Sequence, residues 1–164
     1  MAKILVSSCL LGCAVRYNGS HVEVHNNHFD WIIETQEIVP LCPEVVAGLP
    51  VPRVPAEISG GRGVEVLAGS AKVLGINNED LTEQFIRGAK RALQLCLQHN
   101  IKYAVLTENS PSCGSDYIYD GSFSGAKIVG SGVVSALLKR EGIQVFNQNI
   151  VGRLRKLLEV SRDK

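Results

Sequence analysis

The sequence predicts an α/β fold: an open, mostly parallel sheet with helices on both faces. Three observations predict it. Short apolar runs alternate with helical patterns along the chain, the signature of strand–helix–strand winding. The run Tyr103–Thr107 is nearly all apolar, as strands covered on both faces are. Three cysteines, Cys9, Cys42 and Cys113, each follow one of those runs. Right-handed crossovers bring such strand ends to one carboxyl edge, where open sheets bind ligands. The class is Rossmann or flavodoxin-like.

The elements follow in order. Lys3–Ser8 reads as the first strand, and the polar segment from Cys9 to about Asn27 as a loop. Phe29, Ile32 and Ile33 share one face of a short helix ending near Thr35. Ile38–Leu41 is the second strand. Residues 43–63 hold Pro43, Pro50, Pro52 and Pro55, which argues against helix or central strand. A structureless stretch of that length is usually functional. Val64–Leu67 and Ala71–Leu74 read as short strands forming a hairpin. The clearest helix runs from Leu81 to Gln98, with Phe85, Ala89, Ala92, Leu93 and Cys96 at helical spacing. Asp80 with Glu83 looks like a capping box at its start. Tyr103–Thr107 is a strand, and Asp120–Gly121 is a hairpin turn signal. Val133–Arg140 is a helix closed by Gly142. Gln144–Phe146 is the last strand and about 150–160 the last helix.

At 164 residues the chain suits one domain, 1–164, with a core that needs no disulfides. Seventeen Lys and Arg stand against sixteen Asp and Glu, a net charge of +1. That balance offers no footprint for nucleic acid or an anionic membrane. Arg87, Lys90 and Arg91, and likewise Arg153, Arg155 and Lys156, read as solvated helix faces. The first residues lack a signal-peptide cleavage region, and no run is long enough to span a bilayer. The expected location is cytoplasmic, where five cysteines are thiols or ligands rather than disulfides.

Three cysteines at one sheet edge point first to a metal or cluster site. Their spacing carries none of the paired pattern of a zinc ribbon; the signal is their shared position. Cys9 stands closer to its strand end than Cys13 does. Cys96 lies on an apolar helix face and reads as a small buried hydrophobe. Zinc would take a fourth ligand from His21, His25 or His28, or keep an open position. An iron–sulfur cluster held by three cysteines would leave one iron free as a Lewis acid. Unligated core cysteines are the third possibility. Glu44 follows Cys42 by two residues and suits a general acid or base, or a loop-holding salt bridge. Ser110 and Ser112 flank Pro111 and suit turn chemistry, or a hydroxyl set against a substrate carbonyl or thiocarbonyl. No phosphate-loop or dinucleotide motif is present.

The segments SCLLG (8–12), RYNG (16–19), LCPEVVAG (41–48), PRVPAE (52–57), SPSCG (110–114) and YDGSFSG (119–125) occur in this order. Together they resemble the thiouracil desulfidases, nearly end to end. The resemblance implies a 4Fe-4S cluster on Cys9, Cys42 and Cys113 with one open iron that captures the sulfur of a thiolated pyrimidine. It implies Glu44 as the acid/base residue and Ser110 as the catalytic serine, with Ser112 beside the substrate. Arg16 and Tyr17 would border the substrate pocket, and Cys13 would be a bystander. Arg53 and Glu57 would order the proline-rich loop, or simply form an ion pair with each other. The implied reaction is non-redox: carbon–sulfur becomes carbon–oxygen, and sulfide leaves. The expected partner is a small thiolated pyrimidine of the 2- or 4-thiouracil class. Thiouridine in RNA is a less favoured substrate, and a non-catalytic zinc or iron–sulfur protein is the alternative class. Nothing in the sequence fixes the oligomeric state.

Overall fold

A computed structural model describes residues 1–12, 18–19 and 26–162. Strand β1, Lys3–Ser7, lies inside the sheet, with Ile4, Leu5 and Val6 fully buried. The chain then makes a 3-10 turn over Ser8–Leu11, closed by Gly12 in the left-handed conformation. Helix α1, Asn27–Thr35, starts two residues earlier than its apolar face suggests. Asn26 caps it, accepting from the backbone N–H groups of His28 (2.8 Å) and Phe29 (3.4 Å).

Strand β2, Glu37–Leu41, leads into a single-turn helix α2, Pro43–Val46, with proline at the first helical position, where its missing N–H costs nothing. Strand β3, Ala56–Ser59, helix α3, Gly63–Ala68, and strand β4, Lys72–Gly75, follow. Three expectations fail here. The proline-rich stretch is not structureless, because it contains α2 and β3. Val64–Leu67 is helical, with Val66 buried and Val64 exposed. A run of four residues, three of them apolar, is too short for periodicity to separate strand from helix. The antiparallel partner of β4 is therefore β3, with Ile58 opposite Val73.

Helix α4, Thr82–His99, matches the predicted face, with Phe85, Ala89, Ala92 and Cys96 buried. The capping box does not form. Asp80 instead accepts from the Thr82 N–H, and the Thr82 hydroxyl accepts from Val73 N–H of the preceding strand. Strand β5, Tyr103–Leu106, follows, then a hairpin of β6, Tyr117–Tyr119, and β7, Lys127–Val129. Its turn contains Gly121 at φ 94°, as the Asp–Gly signal requires. Helix α5 is Val133–Arg140, strand β8 Gln144–Asn147 and helix α6 Val151–Arg162.

The main sheet is parallel throughout, in the order β2-β1-β5-β8. Winding runs outward from β1 to β2, then restarts on the other side at β5, the flavodoxin-like order. Ile4, Val6, Val105 and Phe146 face α1 and α6. Leu5, Ala104 and Leu106 face α4 and α5 on the other side. Residues 133–138 of α5 are all buried, since that helix packs against the sheet, α3 and α4. Among the described residues no helix is long and apolar enough to cross a membrane.

Candidate active site

A cavity of about 420 Å³ opens at the carboxyl edge, where the winding reverses between β1 and β5. The end of β1 brings Ser7 and Cys9 to it, the end of β2 brings Cys42, and the segment after β5 brings Thr107 and Cys113. The shared strand-end position thus becomes a shared wall. Cys9 and Cys113 are buried and Cys42 is half-buried.

Hydroxyls meet two of the sulfurs. Thr107 Oγ1 lies 2.8 Å from Cys9 Sγ. Ser7 donates to Cys113 Sγ at 3.8 Å and accepts from the Thr107 N–H at 3.1 Å. Burial pushes the Cys113 thiol far up from its ordinary value; the Ser112 hydroxyl pulls against this, and the charges of Cys9, Glu44 and Cys42 add to it. Burial also raises Cys42, opposed by the Val45 backbone N–H and reinforced by Glu44. Burial and mutual repulsion thus both favour the neutral thiol at Cys42 and Cys113.

The turn bearing Cys113 is held from several sides. Ser110 Oγ accepts from the N–H groups of Ser112 (3.1 Å) and Cys113 (3.2 Å). At the start of α5, Val133 and Val134 donate to the carbonyls of Pro111 (2.9 Å) and Ser112 (2.8 Å). The Ser135 hydroxyl donates to the Cys113 carbonyl at 2.7 Å. Gly132 makes this approach possible, since a Cβ there would fall 2.6 Å from the Pro111 oxygen. Glu108 closes the loop further on. One of its oxygens accepts from Asn109, Ser115 and Asp116 N–H, the other from Asn147 Nδ2.

Glu44, in α2, also lines the cavity. Arg53 forms an ion pair with one of its oxygens, and the Ser112 hydroxyl donates to the other at 3.0 Å. Ser112 has one proton, so the 2.9 Å contact between Ser110 and Ser112 leaves Ser110 as donor. The hydroxyls form a chain from Ser110 through Ser112 to Glu44. Arg53 is fixed in turn by the Val54 carbonyl (2.7 Å) and by the Phe85 ring, 5.4 Å below it. The alternative, an ion pair between Arg53 and Glu57, does not form among the described residues. Glu57 instead accepts from Gly121 (2.9 Å) and Phe123 (3.2 Å) N–H, tying the hairpin loop beside Tyr119 to the cavity.

Cys9, Cys42, Cys113, Glu44, Ser110 and Ser112 therefore meet at one place. Arg16, Tyr17, Cys13, His21 and His25 lie outside the described residues. His28 is exposed on α1 and does not line the cavity. Cys96 is buried in α4, its thiol pushed up to about 11 by burial, as an inert core residue should be. Ser7, Thr107, Glu108, Asn109 and Gln148 also line the cavity, although none is singled out by the sequence alone. Ser7 and Thr107 carried a usable signal, because each closes a strand at the same edge as the cysteines.

The chain matches the 2-thiouracil desulfurase family over residues 4–149. It is 47% identical over 146 residues to the uncharacterized protein YbbK of Bacillus subtilis (strain 168), covering 89% of this chain and 95% of that protein. It also resembles the solved structure of a 4Fe-4S-dependent thiouracil desulfidase, TudS. The TM-score is 0.86 and the identity 42%, covering 98% of this chain and 99% of the other.

Proposed function

Because the chain belongs to the 2-thiouracil desulfurase family, we propose that it removes sulfur from a thiolated pyrimidine of the 2- or 4-thiouracil class. Water supplies the oxygen, the thiocarbonyl becomes a carbonyl, and sulfide leaves, with no net oxidation or reduction. The observation that carries this reading is the gathering of Cys9, Cys42, Cys113 and Glu44 on one cavity. The likeness to a 4Fe-4S-dependent enzyme over nearly the whole chain supports it.

The donor set fits a 4Fe-4S cluster. It consists of three soft sulfurs arranged around a cavity. Among the described residues, no three His, Cys, Asp or Glu side chains gather closely enough for a single ion. Cys9, Cys42 and Cys113 would hold the cluster and leave one iron without a protein ligand. When bound, the group supplies a soft Lewis acid for the thiocarbonyl sulfur. Glu44 takes the proton of the attacking water. Arg53 and Ser112 hold its two oxygens and so fix where it reaches. Ser110, the catalytic serine of this reading, donates to the Ser112 oxygen and so aims the Ser112 hydroxyl at that carboxylate. Ser112, which lines the cavity, lies beside the substrate. In this reading the whole chain, 1–164, is one desulfidase-like unit that works in the reducing cytoplasm, where thiols persist.

The test is anaerobic purification followed by iron and sulfide assay. Brown protein that consumes thiouracil absorbance and releases sulfide is the expected result. Colourless protein that carries zinc and leaves thiouracil untouched would overturn the reading.

A further inference from the structure

Two carboxamides line the cavity, and the reaction as described uses neither. Asn109 follows β5 and Gln148 follows β8, on neighbouring parallel strands. Glu108 governs both. Its backbone N–H donates to Gln148 Oε1 at 3.0 Å. That bond settles which end of the Gln148 amide is oxygen and turns its two N–H groups the other way. Nothing among the described residues accepts from them. The Glu108 carboxylate accepts from the Asn109 N–H at 3.1 Å. Asn109 sits at φ 71°, a left-handed conformation that few side chains adopt and that clusters at ligand sites. Its side-chain amide also has no hydrogen-bond partner among the described residues.

A carboxamide carries a donor beside an acceptor. The oxo edge of a thiouracil, a ring N–H beside a carbonyl, carries the same pair and is complementary to it. We propose that Gln148 and Asn109 read this edge: Gln148 donates to the ring carbonyl oxygen, and the Asn109 amide accepts from the ring N–H. The pair would thereby set the rotation of the ring in the cavity and make the site select a heterocycle with that edge. This rests on the desulfidase reading above.

Two substitutions separate recognition from architecture. Gln148→Glu keeps the acceptor for the Glu108 N–H and removes the outward donors. Asn109→Gly keeps the left-handed backbone and removes the amide. Each variant, loaded with iron to the wild-type level and melting at the wild-type temperature, should raise the KM for thiouracil about tenfold. It should weaken uracil binding, measured by calorimetry, by a similar factor, the scale of one hydrogen bond; kcat should move less. As a second measurement, wild-type protein should bind 3-methyluracil about tenfold more weakly than uracil, and Asn109→Gly should discriminate less. If wild-type protein desulfurates thiouracil but both variants bind within twofold of it, this inference is wrong. It is also wrong if the wild type ignores the methyl group. A wild type with no turnover would overturn the desulfidase reading instead.

Discussion

The two walls of the cavity are built differently. Cys9 and Thr107 stand at the ends of strands whose ladders run through the middle of the sheet, and their neighbours Ile4, Leu5, Val105 and Ala104 are fully buried. Opposite them, Glu44, Arg53 and Glu57 sit on segments outside the main sheet, which side-chain bonds hold in place: Arg53 to Glu44, Ser112 to Glu44, Glu57 to the hairpin loop. Cys113 belongs in origin to the second kind, but the start of α5 clamps it as firmly as a strand would. Cys9 and Cys113 are thus placed by the fold, and Glu44 by a few side-chain contacts. This predicts that the two walls fail in different ways.

The largest effect belongs to the sulfurs. Replacing Cys9, Cys42 or Cys113 by Ala should bleach anaerobically prepared protein and abolish turnover, while Cys96→Ala keeps the colour. Visible absorbance and bound iron per chain measure it. A bleached Cys96→Ala, or a brown Cys9→Ala, would break the distinction between the walls.

Glu44→Gln should come next. It should retain iron and bind substrate yet lose turnover by roughly 10²–10⁴-fold, the usual contribution of a positioned acid or base. Iron content and thiouracil absorbance, taken on one preparation, check this. Iron lost together with activity would mean that Glu44 merely fixes the segment presenting Cys42. Full iron with a near-normal rate would remove it from the mechanism.

The smallest effect tests the clamp. Gly132→Ala places a methyl against the Pro111 oxygen and should cost about 1–3 kcal/mol of stability through overpacking. The strain is directed at the Cys113 turn, so iron retention after dilution should fall as well. A thermal midpoint and an iron-release rate both equal to wild type would show that the turn yields freely.

The first wall was largely legible in the sequence, and the second only in part. Apolar runs identify β1, β2 and β5, and their ends locate Cys9, Cys42 and Cys113 without any knowledge of pairing. Helix α5 was legible to the residue because Gly132 and Gly142 bracket it. The segment between β2 and α4 was harder. Prolines hid β3, and Val64–Leu67 was too short to display a period. The partner of Arg53 could not be read, since Glu44 and Glu57 lie nearby in the chain on either side of it and only tertiary packing chooses between them. The capping box failed because the helix starts one residue too late for Asp80 to cap it: Leu81 holds the cap position, and Asp80 accepts from the Thr82 N–H instead.

Strand β2 does more than carry Cys42 to the cavity. The strand lies at the margin of the sheet, and such margins template the addition of further strands from other chains. Pro40, paired with Val6, has no N–H to offer there, and Glu37 sets a charge at its exposed beginning. The strand that carries Cys42 to the site is therefore also a guarded border, an edge built to resist the addition of strands from other chains.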